Sequence, residues 1–189
     1  MSLTDGLSIA GLLLWVGFEV LLRRRDDADA AEWSGGAEDR RSTRLLICAY
    51  ILSVVVLSLL DALGVGTAPL PDRWVGVVAI AVGLSLRAWG MATLGRFYTR
   101  TLRVASDQQI VEHGPYRLVR HPGYTGSLLV WAGYCLGNGN WIAAVAVSVL
   151  LIVAYSWRIR SEETMMAAHF GQSYRDYQGR TSRLVPFVY

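Results

Sequence analysis

Long apolar runs, each bordered on one side by arginines, constrain this chain more than any other feature. Leu3 to Leu22, Leu45 to Val65, Trp74 to Leu94 and Trp141 to about Trp157 contain 17 to 21 residues each. At about 1.5 Å of rise per residue, such runs reach across most or all of a hydrocarbon core of about 30 Å. A fifth run, Tyr124 to Leu136, covers only about 20 Å before Gly137-Asn138-Gly139-Asn140 makes a turn. Either that helix starts below the membrane surface or its first turn uses Pro122 at N1, where a missing N–H costs nothing. Both options draw the preceding Arg120-His121 towards membrane depth, where irregular backbone survives only if it lines a cavity or is covered by protein.

The arginines give these runs a direction. Segments 23–44 and 95–121 and the tail from 158 hold six, five and five of them, against Arg73 alone on the other side. The positive-inside rule then orients the chain with its N-terminus outside and its C-terminus in the cytoplasm. Asp5 precedes the first run and Arg23-Arg24-Arg25 stop it, the reverse of a signal peptide, so an uncleaved helix is expected. Residues 26–43 alternate acids and arginines around Trp33 and Gly35-Gly36 and read as a solvated loop. The fold class is therefore all-α, a polytopic membrane protein with about five transmembrane helices and a cytoplasmic C-terminal amphipathic helix. A hydrophobic content of 53% against 17% charged residues excludes an ordinary soluble domain. The net charge of +3, carried entirely by Arg with no Lys, is too small to imply a nucleic acid partner. Cys48 and Cys135 lie in apolar runs and are expected to be free thiols, neither a disulfide nor a metal pair.

Polar residues inside this setting need reasons. Glu19 lies one turn before the arginines, where it can reach headgroups, and is not expected in the site; Asp61 is expected to face water. Arg87 lies well inside the third run, where it either faces a partner in a wet cavity or snorkels to the interface. The segment Gly114-Pro115-Tyr116 through Arg120-His121-Pro122-Gly123-Tyr124-Thr125-Gly126 concentrates rings, cations and turn residues just before the short fourth helix. A four-residue turn makes helices four and five a hairpin, so Arg120 and His121 meet Arg158, Glu162 and Glu163 at its open end. Beyond it, Glu163, Met166, Phe170, Tyr174 and Tyr177 recur at steps of three and four, as one face of a helix that either closes over the mouth of the bundle or lies on the lipid surface, with Gly171 weakening it midway.

The ordered set of those residues, from Gly114-Pro115-Tyr116 and Arg120-His121-Pro122-Gly123-Tyr124-Thr125-Gly126 to Arg158, Glu162-Glu163, Phe170-Gly171, Tyr174, Tyr177 and Pro186-Phe187, resembles the isoprenylcysteine carboxyl methyltransferase family over roughly residues 84–189. The resemblance implies an integral-membrane enzyme using S-adenosyl-L-methionine without a Rossmann domain. It implies cofactor contacts at Gln108, Gln109, Ile110, Val111, Tyr116, His121, Pro122, Gly123 and Tyr124, with Glu162 on the amino or ribose end and Glu163 sharing its work. Arg158 would grip the acceptor's carboxylate, and Arg120 would serve either ligand. The implied acceptor is an isoprenylcysteine-like or other lipid-linked acid at the membrane-cytoplasm boundary; no metal is implied. A single domain is expected, with two helices in 1–73 and the cofactor-binding core in 74–189. Alternatives are a phospholipid N-methyltransferase, an NADPH-dependent membrane reductase with a similar Arg-His-Pro run, and a non-catalytic adaptor for anionic lipid.

Overall fold

The computed structural model describes residues 2–29, 37–98 and 108–186, and within them six α-helices. They are α1 (Leu3–Asp29), α2 (Ala37–Ala62), α3 (Leu70–Leu94), α4 (Pro122–Gly137), α5 (Trp141–Phe170) and α6 (Gln172–Arg180). Trp33, Gly35-Gly36, Arg100, Arg103 and Phe187 lie outside the described residues.

Helices α1, α2, α3 and α5 are long and apolar enough to cross a membrane, whereas α4 has 16 residues. Their outward faces carry large apolar side chains such as Leu13 (65% exposed), Ile51 (61%), Val78 (60%) and Val153 (66%). Water would penalise such surfaces, and lipid does not. The chain is an all-helical integral membrane protein.

Two helices run further than the apolar pattern indicates. α1 continues through the arginines to Asp29, and α2 begins at Ala37, so much of the expected 26–43 loop is helical. Lipid is needed to explain where an apolar run ends, not where a helix ends: Ala, Arg and Glu are good helix formers in water too. The tail differs in the opposite sense. Gly171, at φ +60°, breaks the expected continuous face into the end of α5 and the separate α6.

At the end of the bundle away from the polar segment, the turn before α5 is sewn to the turn before α3. The Asn140 side chain caps α5 by accepting from the Ala143 N–H, and its Nδ2 donates to Asp61 Oδ1 at 2.8 Å and the Val65 carbonyl at 3.0 Å. Asp61, expected to face water alone, thus holds a neighbouring turn while remaining exposed.

The most extensive helix pair is α3 with α4. Gly76 and Gly83 on one face Gly133 and Gly126 on the other, in antiparallel register at seven-residue steps. A Cβ placed on Gly83 would stand 2.5 Å from the Gly126 carbonyl oxygen, and one on Gly133 2.5 Å from the Gly76 carbonyl oxygen. No side chain larger than hydrogen fits. Because lipid tails are as apolar as side chains, this close backbone packing is what holds membrane helices together. Trp15, Tyr50 and Trp131 join α1 and α2 to the pair, with Tyr50 stacked on Trp131 at 5.3 Å and Trp15 edge-on to both. Cys135 is buried, Cys48 is exposed on α2, and both are free thiols.

Gly83→Leu is expected to destabilise the bundle by about 1–3 kcal/mol or more, seen as a lower melting temperature in detergent. Gly17→Ala, on an open face with nothing near its Cβ position, should leave the melting temperature unchanged or slightly raised.

Candidate functional site

The arms of the α4–α5 hairpin are unequal, 16 residues against 30. The overhang of α5 therefore continues past the start of α4 and supplies one wall of a chamber of about 200 Å³. Arg158, Glu162, Met165 and Met166 line it from α5, the 108–111 segment and Tyr116 from the connection, and Tyr174 and Tyr177 from α6. α1 and α2 close the apolar side with Leu22, Leu46, Ile47 and Tyr50.

Local backbone chemistry aims the polar segment inward. Gly114 takes φ +59°, which lets Pro115 open a 3₁₀ turn carrying Tyr116 into the wall. His121 caps α4 and Pro122 begins it, so the second of the two options for the short helix is the one used. Gly123 packs directly under Tyr98, whose hydroxyl a Cβ there would displace.

Charge is gathered tightly at the hairpin's open end. Glu162 accepts hydrogen bonds from the Tyr124 hydroxyl and from Arg158 Nε at 3.3 Å, and its other oxygen lies 3.3 Å from His121 Nδ1. Glu163 accepts from Arg120 Nε at 2.7 Å and Arg183 Nε at 3.0 Å, with His121 Nε2 3.4 Å away. His121 thus bridges two carboxylates, and only the doubly protonated ring can donate to both. Burial lowers the His121 pKa, but its hydrogen bonds to Glu162 and Glu163 outweigh burial and hold it above the ordinary imidazole value.

A strap from the tail fastens this end. The Arg120 and His121 N–H groups donate to the carbonyls of Ser182 and Arg183 at 2.8 and 3.1 Å, and the Ser182 N–H returns a bond to Leu118. Arg120 also donates to the Thr181 and Gln178 carbonyls, while the Tyr177 hydroxyl donates to the Tyr116 carbonyl at 2.7 Å.

Of the residues singled out in the sequence, Gln108, Gln109, Ile110, Val111, Tyr116, Arg120, His121, Pro122, Gly123, Tyr124, Arg158 and Glu162 all line the chamber. Glu163 does not. It is buried behind the wall, holding Arg120, His121 and Arg183, so its geometry is that of a support for Glu162's neighbours. The sequence does not single out Ser42 and Thr43, places Glu19 outside the site, and leaves Arg87 between a cavity and the interface. Glu19, expected at the headgroups, lines the chamber and pairs with Arg87; Arg87 is buried and does not snorkel. Ser42 and Thr43 on α2 accept from Arg158 Nη1 at 2.7 and 3.2 Å. Opposite charges at depth in two different spans were the signal that would have joined Glu19 to Arg87; nothing in the pattern marks Ser42 or Thr43.

Apolar helices closing around a charged, ring-lined chamber define an integral membrane protein with a polar cavity at one end. The sequence model of the phospholipid methyltransferase family matches residues 71–173. A protein from Arabidopsis thaliana named protein-S-isoprenylcysteine O-methyltransferase A is 32% identical over 161 residues, covering 81% of this chain and 82% of that protein. A probable protein-S-isoprenylcysteine O-methyltransferase of Oryza sativa subsp. indica is 35% identical over 118 residues, 61% of each chain. The solved structure of the eukaryotic intramembrane Ras methyltransferase ICMT shares the fold, with a TM-score of 0.60 at 24% identity, over 79% of this chain and 53% of that one. The chain belongs to the isoprenylcysteine carboxyl methyltransferase-like family of membrane methyltransferases, and it aligns with about three fifths of the rice protein and half of the solved one.

Because its folded pKa is raised, His121 stabilises the protein fully below about pH 6.5, the unfolded value, and this contribution is lost as pH rises through the folded value. The melting temperature should fall across that window, and His121→Gln should flatten the fall. An NMR titration of the ring at or below the ordinary imidazole value would contradict this.

Proposed function

We propose that the chain transfers a methyl group from S-adenosyl-L-methionine to the carboxylate of a lipophilic acid, an isoprenylcysteine or another lipid-linked one, at the membrane-cytoplasm boundary. The observation carrying this reading is the position of Glu162, on the wall of a chamber with polar, ring-bearing sides at one end and apolar sides at the other. The arginine asymmetry of the sequence supports a cytoplasmic chamber and an outside N-terminus.

The lining suits such a cofactor by its chemistry. Glu162 offers a carboxylate to the cofactor's amino or ribose end, Gln108 an amide, Tyr116 and Tyr124 ring faces for positive charge, and Met165 and Met166 soft apolar surface. When bound, the cofactor supplies a methyl group on a cationic sulfur. Residues 108–111, Tyr116 and His121 to Tyr124 hold it; Glu163 and Arg120 keep His121 and Glu162 in place.

Arg158 orients the acceptor carboxylate. Its Nη1 is tied to Ser42 and Thr43, and its Nε to Tyr124 and Glu162, so the guanidinium plane is set before any ligand arrives. A carboxylate nucleophile needs no general base. Because the carboxylate loses charge as it is methylated, an arginine that neutralised it fully would stabilise the ground state more than the transition state, so alignment is the larger contribution, worth about 7–11 kcal/mol in favourable cases. The apolar walls keep water from a reaction in which opposite charges cancel.

Calorimetry of the detergent-purified protein should detect S-adenosylhomocysteine and not NADPH; the reverse selects a reductase. Labelled methyl should pass to a farnesylated cysteine acid and not to phosphatidylethanolamine, the acceptor a phospholipid N-methyltransferase would use. Glu162→Ala should weaken cofactor binding at least a hundredfold, about 2.7 kcal/mol. Arg158→Ala should spare binding yet lower kcat roughly a hundredfold, with melting temperatures checked for both. Unchanged cofactor affinity in Glu162→Ala would remove the basis of the reading.

A further inference from the structure

Two charged side chains with no part in the proposed chemistry also line the chamber: Glu19 from α1 and Arg87 from α3. Arg87 Nη2 pairs with Glu19, while Nη1 donates to Ser127 Oγ at 2.6 Å and to the Gly123 carbonyl at 3.2 Å. The Ser127 hydroxyl donates to the same carbonyl at 3.0 Å and accepts from Trp15 Nε1 at 2.9 Å. Gly123 belongs to the His121–Tyr124 turn. Three helices are therefore referenced to a single peptide group in the wall of the site.

Stability alone does not account for this arrangement. Ser127 already serves the Gly123 carbonyl, and a buried ion pair commonly gains no more than the apolar groups that could replace it. An arginine on an apolar helix is costly as well. What the guanidinium adds is rigidity between helices: a planar group with fixed N–H directions spans α1, α3 and the first turn of α4. The glycine seam makes the span possible, because Gly126 lies so near α3 that a Cβ there would stand 3.2 Å from Arg87 Cβ. Glu19 cancels the charge, so that Arg87 does not attract an acid away from Arg158.

We propose that Arg87 is a positioning residue for methyl transfer, holding the His121–Tyr124 turn through Gly123, and that Glu19 is its built-in counter-charge, which makes α1 part of the site. The kinetic side of this proposal rests on the methyltransferase reading; the positional side does not.

The test compares Glu19→Gln, Arg87→Met and the double variant in the full chain. Each single variant removes one half of the ion pair and leaves the other behind, and should melt lower; the double variant, which removes both, should recover most of the loss. Recovered stability should not bring back function: kcat stays down at least tenfold, with KM for a farnesylated cysteine acid within threefold of wild type. The His121 NMR signal, read without substrate, should stay displaced in the double variant because its turn is no longer held. A double variant with wild-type kcat and an undisplaced His121 signal overturns the proposal. If the double variant does not fold, Arg87→Lys decides, since it keeps the cation and loses the planar reach: reduced kcat with a displaced His121 signal supports the proposal, and wild-type values of both overturn it. Should the wild type methylate no acceptor, the functional reading fails, and the His121 signal alone still decides whether Arg87 positions the turn.

Discussion

Contact between two bare backbones underlies the rest of this structure. Gly76 and Gly83 on α3 meet Gly133 and Gly126 on α4 with no side chain between them. In lipid, where burying apolar surface gains nothing, such contact is one of the few ways to fix one helix against another. Its effect extends to the site. With α4 pressed on α3, the Arg87 guanidinium reaches the first turn of α4, and the Tyr116 hydroxyl comes within 3.4 Å of the Gly90 carbonyl on α3.

The second constraint is that charge buried among these helices must be matched. Arg87 with Glu19, Arg120 with Glu163 and Arg158 with Glu162 are each paired, and His121 links the two glutamates. Glu163 alone takes three partners, Arg120, Arg183 and His121. That arrangement explains how so polar a chamber persists between apolar helices: desolvation is offset by short, directed bonds, and removing any one member strands another.

Much of this was legible in the sequence. The apolar runs and their arginine borders marked the membrane helices, and the four-residue turn at 137–140 marked a hairpin whose open end gathers Arg120, His121, Arg158 and Glu162. The Pro122 start was one of two options the short run allowed, open to it because proline's missing N–H costs nothing at N1. What escaped was relation across distance. Glu19 reads as an interfacial residue because its partner lies 68 positions away, and the glycines of α3 and α4 look like ordinary small residues until their registers are laid against each other. Glu163 and Glu162 are adjacent in sequence, but a helix turns about 100° per residue, so one faces the chamber and its neighbour faces the strap. Helix ends were hidden for another reason, since hydropathy reports where lipid stops and the backbone at Asp29 and Ala37 does not depend on lipid.

The strap between Leu118 and Ser182 joins stretches about sixty residues apart. Those bonds cannot form until the ribosome has delivered α5 and α6, so the turn bearing His121 is made before its final fastening exists. The open end of the chamber is therefore fastened by residues that each chain receives only after α6, Ser182 and Arg183.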